Sequence, residues 1–284
     1  MIKSYKLRRT LADVAIYIIL GILGIIWVLP LVWLLAHSFR AEGGITVPYV
    51  WPKQFTLDNY IKLFTDTDVF NYPRWFLNTF VVAVFSCIIS TLSVLMVSYA
   101  FSRLRFKTRK MFINIGMVLG MFPGFMTMIA LYYLLKAMDL VQTLPALVIC
   151  YSAGAGLGFA ISKGFFDTIP RALDEAATID GATKNQIFWK IILPMSKPIL
   201  VYTVLTSFIG PWCDFILVKI IMGTKRENFT VALGLQRMTD KEYKQEYFKQ
   251  FLAGSVLVSI PITILFLKMQ NYYVEGVTAG GVKG

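Results

Sequence analysis

Between Trp75 and Phe101 the chain carries no charged residue, and comparable apolar runs extend over 14–39, 111–135, 143–162, 199–222 and 251–269. About 20 apolar residues are needed for a helix to cross the hydrocarbon core of a bilayer. Lipid offers no partner for backbone N–H and C=O groups, so such runs must satisfy them internally, as helices. The expectation is an all-α membrane protein with six transmembrane helices. Composition agrees: only 15% of residues are charged, against about 25% in soluble domains.

The charges set the orientation. Lys3, Lys6, Arg8 and Arg9 precede the first run, and RLRFKTRK, from Arg103 to Lys110, follows the second. With six spans, these clusters fall on one side together with Lys163, Arg171, Lys184, Lys190 and Lys197. The positive-inside rule makes that side cytoplasmic and puts both termini there. The basic residues of 223–249 fall on the outer side, partly balanced by Glu227, Asp240, Glu242 and Glu246. The first run exceeds the roughly 7–15 residues of a signal-peptide core, which reads as a retained helix. The formal charge of +12 does not point to nucleic acid, because no soluble segment carries a basic stripe with interleaved aromatics.

The resulting division is a basic N-terminus and first helix at 1–40, an extracytoplasmic loop at 41–74, a five-helix core at 75–270 and a cytoplasmic tail at 271–284. Within the core, 167–198 is the longest polar stretch. Pro170 is placed to open a helix, with the side-chain oxygens of Asp167 and Thr168 upstream to accept from its free amides. Asp174 and Glu175 lie early, where the helix dipole favours acids. Leu173, Ala176, Ala177 and Asp180 share one side of this helix. Gly181 follows Asp180 as a helix-ending residue. Thr183 and Gln186 have capping-box spacing for a second helix, expected to stop near Pro194. An ordered helix-turn-helix between spans is a docking surface in form.

Enzyme signatures are missing. No phosphate-binding G-x-x-x-x-G-K-[ST] loop occurs, and Gly154, Gly156 and Gly158 lie inside a span, suited to close helix approach or local bending. Cys87, Cys150 and Cys213 sit singly in apolar runs and His37 stands alone, so no metal, cofactor or catalytic constellation is expected. The methionines of the third run suit adaptable packing. Asp214 is the notable intramembrane acid, since buried charge often marks a solute or ion path. Gly210 and Pro211 before it should break or bend the helix. A candidate translocation path therefore includes Gly210, Pro211 and Asp214; pairing of Asp214 with Lys219 is the bland alternative. An ion-coupled secondary transporter using Asp214 is the competing functional class.

The segment has a more specific match. Glu175-Ala176-Ala177, then Gly181, then Ile191-x-Leu193-Pro194 fit every fixed position of the EAA signature, E-A-A-x3-G-x9-I-x-L-P. The chain thus resembles the permease subunits of bacterial ABC importers with the type I fold. DEAATIDGAT and the terminal ITILFLKMQNYYVEGVTAGGVKG extend the resemblance to the carbohydrate-uptake branch that serves maltose and maltodextrin, over nearly the whole chain and most firmly from Phe70. The resemblance implies a non-catalytic subunit of the cytoplasmic membrane that requires no cofactor of its own. It implies as partners a homologous second permease, a cytoplasmic ATPase dimer, an extracytoplasmic solute-binding protein and a sugar, with maltodextrin or another oligosaccharide favoured. Coupling to the ATPase would fall to Asp174, Glu175, Ala176, Ala177, Asp180, Gly181, Ile191, Leu193 and Pro194. Thr278, Gly280, Gly281, Lys283 and Gly284 would reach the ATPase through the tail, and 236–247 would face the binding protein.

Overall fold

The computed structural model describes residues 2–45 and 47–281, with side chains for 9–45 and 47–272. Among the described residues every extended element is helical, the lone β feature being an antiparallel bridge between Arg40 and Phe55. The chain divides into two compact units, one from 1–70 with 238–257 and the other from 71–237 with 258–284.

In the first unit, α1 (Ile2–Ser38) has no buried residue in its most apolar 18-residue window, as a lipid-facing or partner-facing helix must. The segment expected as an extracytoplasmic loop contains α2 (Asp58–Thr65). Asn59 donates from Nδ2 to the carbonyls of Ser38 and Arg40, both 2.9 Å away, which pins α2 to the end of α1. His37 stacks on Trp33 at 4.1 Å, and its Nε2 lies 2.9 Å from the Val50 carbonyl. It is a fully buried structural residue.

The second unit is built on α3 (Tyr72–Arg103). It packs against α6 (Leu144–Ala153), α7 (Phe159–Thr168) and α11 (Lys197–Cys213). Ser86, Ser90, Ser98 and Ser102 fall at multiples of four residues along its buried face. Small side chains there permit close approach and still bridge helices. Ser90 donates to the Tyr151 carbonyl at 3.2 Å and Ser98 to that of Phe159 at 3.1 Å. At the opposite end, Trp75 Nε1 donates to the Arg226 carbonyl at 2.9 Å, and Thr79 accepts from the Val231 amide at 2.7 Å. The latter contact fixes the start of α13 (Val231–Met238), in a region expected to be loop.

Four helical stretches are long and apolar enough to cross a membrane: Arg9–Ser38, Tyr72–Arg103, Leu144–Thr168 and Lys244–Tyr272. The last is part of α14 (Lys244–Gly281), which begins earlier and runs further than the 251–269 expected. Two bent helix pairs raise the number of candidate spans to as many as six. α4 (Arg109–Gly120) and α5 (Gly124–Ala137) meet at 100°. Pro123 has no N–H to continue the ladder and adopts an extended ψ of 121°, so an unbroken apolar run conceals a sharp turn. The glycines at 154–158 tighten the chain into a 3₁₀ turn over Ala155–Gly158. Met111, Met117, Met121 and Met126 are exposed instead of packing within the chain.

Candidate functional site

Residues 167–198 fold as two short helices, as expected, but by different contacts. Asp167 does not cap the first one. Its carboxylate accepts from Ser102 Oγ at 2.6 Å and from Lys163 Nζ at 2.6 Å, while Thr168 Oγ1 donates back to the Phe165 carbonyl. Those local partners outcompete the free amides. α8 (Ala172–Ile179) therefore starts two residues after Pro170, without a side-chain cap. Its end is as read: Gly181 adopts φ +81°, a left-handed conformation that glycine accepts without Cβ strain.

α9 (Lys184–Ile187) begins with a complete Thr183–Gln186 capping box. The second helical run ends one residue past Pro194, near where expected. A π turn over Phe188–Ile192 leads into α10 (Leu193–Met195), and the helix bends by 85° only at Ser196 before α11. Widening the turn before a proline accommodates both its ring and its missing donor.

The end of α3 holds this segment. Arg103 Nη2 donates to the carbonyls of Phe166 and Ile169, both at 2.7 Å, and its Nη1 lies 3.3 Å from Asp174 Oδ2. The Arg103 side chain is 4% exposed and that of Asp174 15%. Tyr99, one turn earlier, donates to the Lys184 carbonyl at 3.0 Å, and Arg171 donates to that of Ser102 at 3.3 Å. Beneath lies a core of Leu95, Tyr99, Phe166, Ala177, Ile187, Phe188 and Ile192, with Ile191 and Leu193 packed on it.

This arrangement divides the sequence-predicted set. Ala177 faces the chain's own core instead of sharing an outer face with Leu173, Ala176 and Asp180, because Asp174 and Ala177 both turn inward. Glu175, Ala176, Asp180, Gly181 and Pro194 are exposed. So are Ile179, at 86%, and Leu173. An apolar side chain left so bare on an otherwise anchored helix is what a docking surface presents. Arg103 escaped sequence reading because it opens a basic cluster that reads as solvated charge. Its spacing of four from Tyr99, on the buried stripe of α3, was the available signal.

Asp214 is placed differently from the expectation. Pro211 stays inside α11, and the break comes at Asp214–Phe215, before α12 (Ile216–Met222). The Asp214 amide still reaches the Gly210 carbonyl at 3.1 Å, which carries the helix past the proline. Asp214 Oδ1 accepts from the Leu217 amide at 3.1 Å and Oδ2 from the Tyr151 hydroxyl at 3.2 Å, so its partners are not Lys219. A hollow of about 310 Å³ takes in Tyr151 and Gly210, with Ser90, Ser162, Tyr202, Thr203 and Thr206 among its lining residues and Val94, Ala155 and Ile161 as its apolar part. Of the tail residues, Thr278, Gly280 and Gly281 continue the α14 backbone, while Lys283 and Gly284 lie outside the described residues.

Spanning helices, broken spans and an ordered polar connector define a multi-pass permease-type membrane protein. The chain belongs to the family described as binding-protein-dependent transport system inner membrane component, whose model matches residues 91–278. It is 35% identical to the galactooligosaccharides transport system permease protein GanQ of Bacillus subtilis (strain 168), over 100% of both chains. It is 33% identical to the maltodextrin transport system permease protein MalD of Streptococcus pneumoniae (strain ATCC BAA-255 / R6), again over 100% of both. A bacterial ABC transporter involved in the import of the acidic polysaccharide alginate shares the fold, with TM-score 0.76 and 20% identity, covering 93% of this chain and 97% of that one. Like these permease proteins, the chain is a non-catalytic membrane subunit.

Proposed function

We propose that this chain is a permease subunit of an ATP-driven, binding-protein-dependent oligosaccharide importer, and that 167–198 receives the motion of a cytoplasmic ATPase. The observation carrying the proposal is the bare Glu175–Ala176–Ile179 surface of α8, mounted on α3 through the buried Arg103–Asp174 pair. A force applied to α8 is transmitted to a spanning helix without an intervening loop. Glu175 supplies a charge for a basic partner, Gly181 the reversal between the helices, and Ile191, Leu193 and Pro194 their seat. Asp174 and Ala177 serve from the inner face, and Ala176 and Asp180 from the outer.

The wider assignment follows from the family. With the bent α4–α5 pair as the third span and α11 with α12 as the fifth, the reading is six spans with both termini on the ATPase side and 1–40, 41–74, 75–270 and 271–284 as successive regions. The partners are a homologous second permease, an ATPase dimer and an extracytoplasmic binding protein. Thr278, Gly280, Gly281, Lys283 and Gly284 contact the ATPase, and 236–247 meets the binding protein. The hollow that reaches Gly210 mixes hydroxyl-bearing residues with apolar ones and holds no charged side chain, a lining that suits a sugar better than an ion. The names of the relatives support an oligosaccharide, with maltodextrin the narrower choice.

The test is reconstitution of the assembly recovered with this chain into vesicles, with uptake and ATP hydrolysis measured together. Glu175→Lys should abolish uptake while the protein still reaches the membrane; undiminished ATP-driven uptake would remove the coupling role. Uptake that persists without the ATPase would favour an ion-coupled carrier. A binding screen on the co-purified solute-binding protein identifies the sugar.

A further inference from the structure

A second site lies outside the coupling segment. α4 and α7 form the walls of a hollow of about 950 Å³ that also takes in the connector between α3 and α4. Arg109, Ile113 and Met117 recur every four residues along α4, and Phe159 and Lys163 every four along α7, so each wall presents a single stripe. One end is basic: Arg105, Lys107, Arg109, Lys110 and Lys163 line it. The other is apolar, formed by Ile113, Met117 and Phe159.

Asp167, held by Ser102, pairs with Lys163 at 2.6 Å and offsets that one cation, which leaves Arg105, Lys107, Arg109 and Lys110 as the net positive charge of this end. Arg109 holds its Nε buried with no hydrogen-bond partner, as a guanidinium awaiting an acceptor would. Gly116 lets the walls close on each other, since a Cβ there would stand 2.9 Å from the Phe159 ring. Met117 remains 51% exposed, so the apolar end opens onto the lipid-facing flank of α4.

We propose that this groove binds one anionic phospholipid, its phosphate at the basic end and the start of its acyl chains along Ile113, Met117 and Phe159. Clustered Lys and Arg at a helix–membrane boundary attract anionic headgroups, and a pocket between helices adds shape to charge. A soluble anion would gain nothing from the apolar wall. The inference goes beyond the transport assignment and stands without it.

The test uses the full-length chain purified in mild detergent with the subunits that accompany it. Native mass spectrometry counts retained phosphatidylglycerol against phosphatidylcholine, with inorganic phosphate as competitor. Phosphatidylglycerol should be retained selectively, resist phosphate, and be held about tenfold or more weakly by the Lys107→Gln, Arg109→Gln, Lys163→Gln triple variant. Neutralising Lys53, Lys62 and Lys136 should change nothing. Equal retention by both variants, or displacement by phosphate alone, overturns the proposal. A photoreactive phosphatidylglycerol on the unmodified protein gives a measurement that needs no variant to fold. Adducts should fall in 105–117 and 159–164, and adducts confined elsewhere count equally against the site.

Discussion

Arg103 Nη1 and Asp174 Oδ2 lie 3.3 Å apart at the junction of α3 and α8, and the same guanidinium closes two carbonyls of the 166–169 turn. One side chain thus ties a spanning helix, the end of α7 and the exposed helix of the connector. The arginine has more partners than the aspartate, and this asymmetry has measurable consequences.

Breaking a buried pair from one side leaves an uncompensated charge and typically costs about 3–5 kcal/mol. Arg103→Ala should approach the upper part of that range, because it strands Asp174 and two carbonyls together. Asp174→Asn should cost less, since Arg103 keeps both carbonyl acceptors. Thermal unfolding in detergent ranks the two; a larger loss for Asp174→Asn would contradict the geometry.

Gly181 sits at φ +81° with open space around its Cβ position. Gly181→Ala should therefore lose stability through backbone strain alone, about 1–2 kcal/mol. Gly181→Asn should lose less, because asparagine tolerates the left-handed region. If alanine and asparagine behave alike, a different constraint governs the turn.

Gly234 is constrained by space instead. A Cβ there would collide with the ring of Trp75, which is 2% exposed and held by its bond to Arg226. Gly234→Ala should destabilise by about 1–3 kcal/mol, the range for overpacking a filled site. The relief variant is Gly234→Ala with Trp75→Phe, which should recover part of the loss in the same unfolding measurement.

Glu42 predicts a pH response outside the spans. Its own backbone amide most, then those of Lys53 and Gln54 at 2.9 and 3.1 Å, hold its carboxyl below the usual carboxylate range against opposing desolvation. A depressed folded pKa stabilises the ionised state: the contribution is present above the ordinary value and disappears as pH falls through the lowered one. Once intrinsic exchange is corrected for, protection of the Lys53 and Gln54 amides should fall in that acidic window. Glu42→Gln should remove the pH dependence.

Much of the site could be read from residue order because its determinants are local. The Thr183–Gln186 box and the Gly181 reversal depend on a few consecutive residues, and both stand where their spacing put them. Asp167 and Thr168 looked equally local and were misread, since a carboxylate goes to the strongest available partner, here Ser102 and Lys163. The Pro123 break was hidden for another reason: hydropathy measures compatibility with lipid and is blind to direction.

The amino-acid sequence by itself determined that this chain is helical and membrane-spanning, because long apolar runs have no other stable form in lipid. It also determined the family, through a motif whose positions are close in the chain. Tertiary structure alone decided which members of that motif turn inward, that Arg103 is a buried strut, and that Asp214 meets Tyr151. Each depends on contacts between residues some 60 or 70 positions apart. Such pairings are selected when helices pack, by burial and by the need to satisfy every polar group taken out of water.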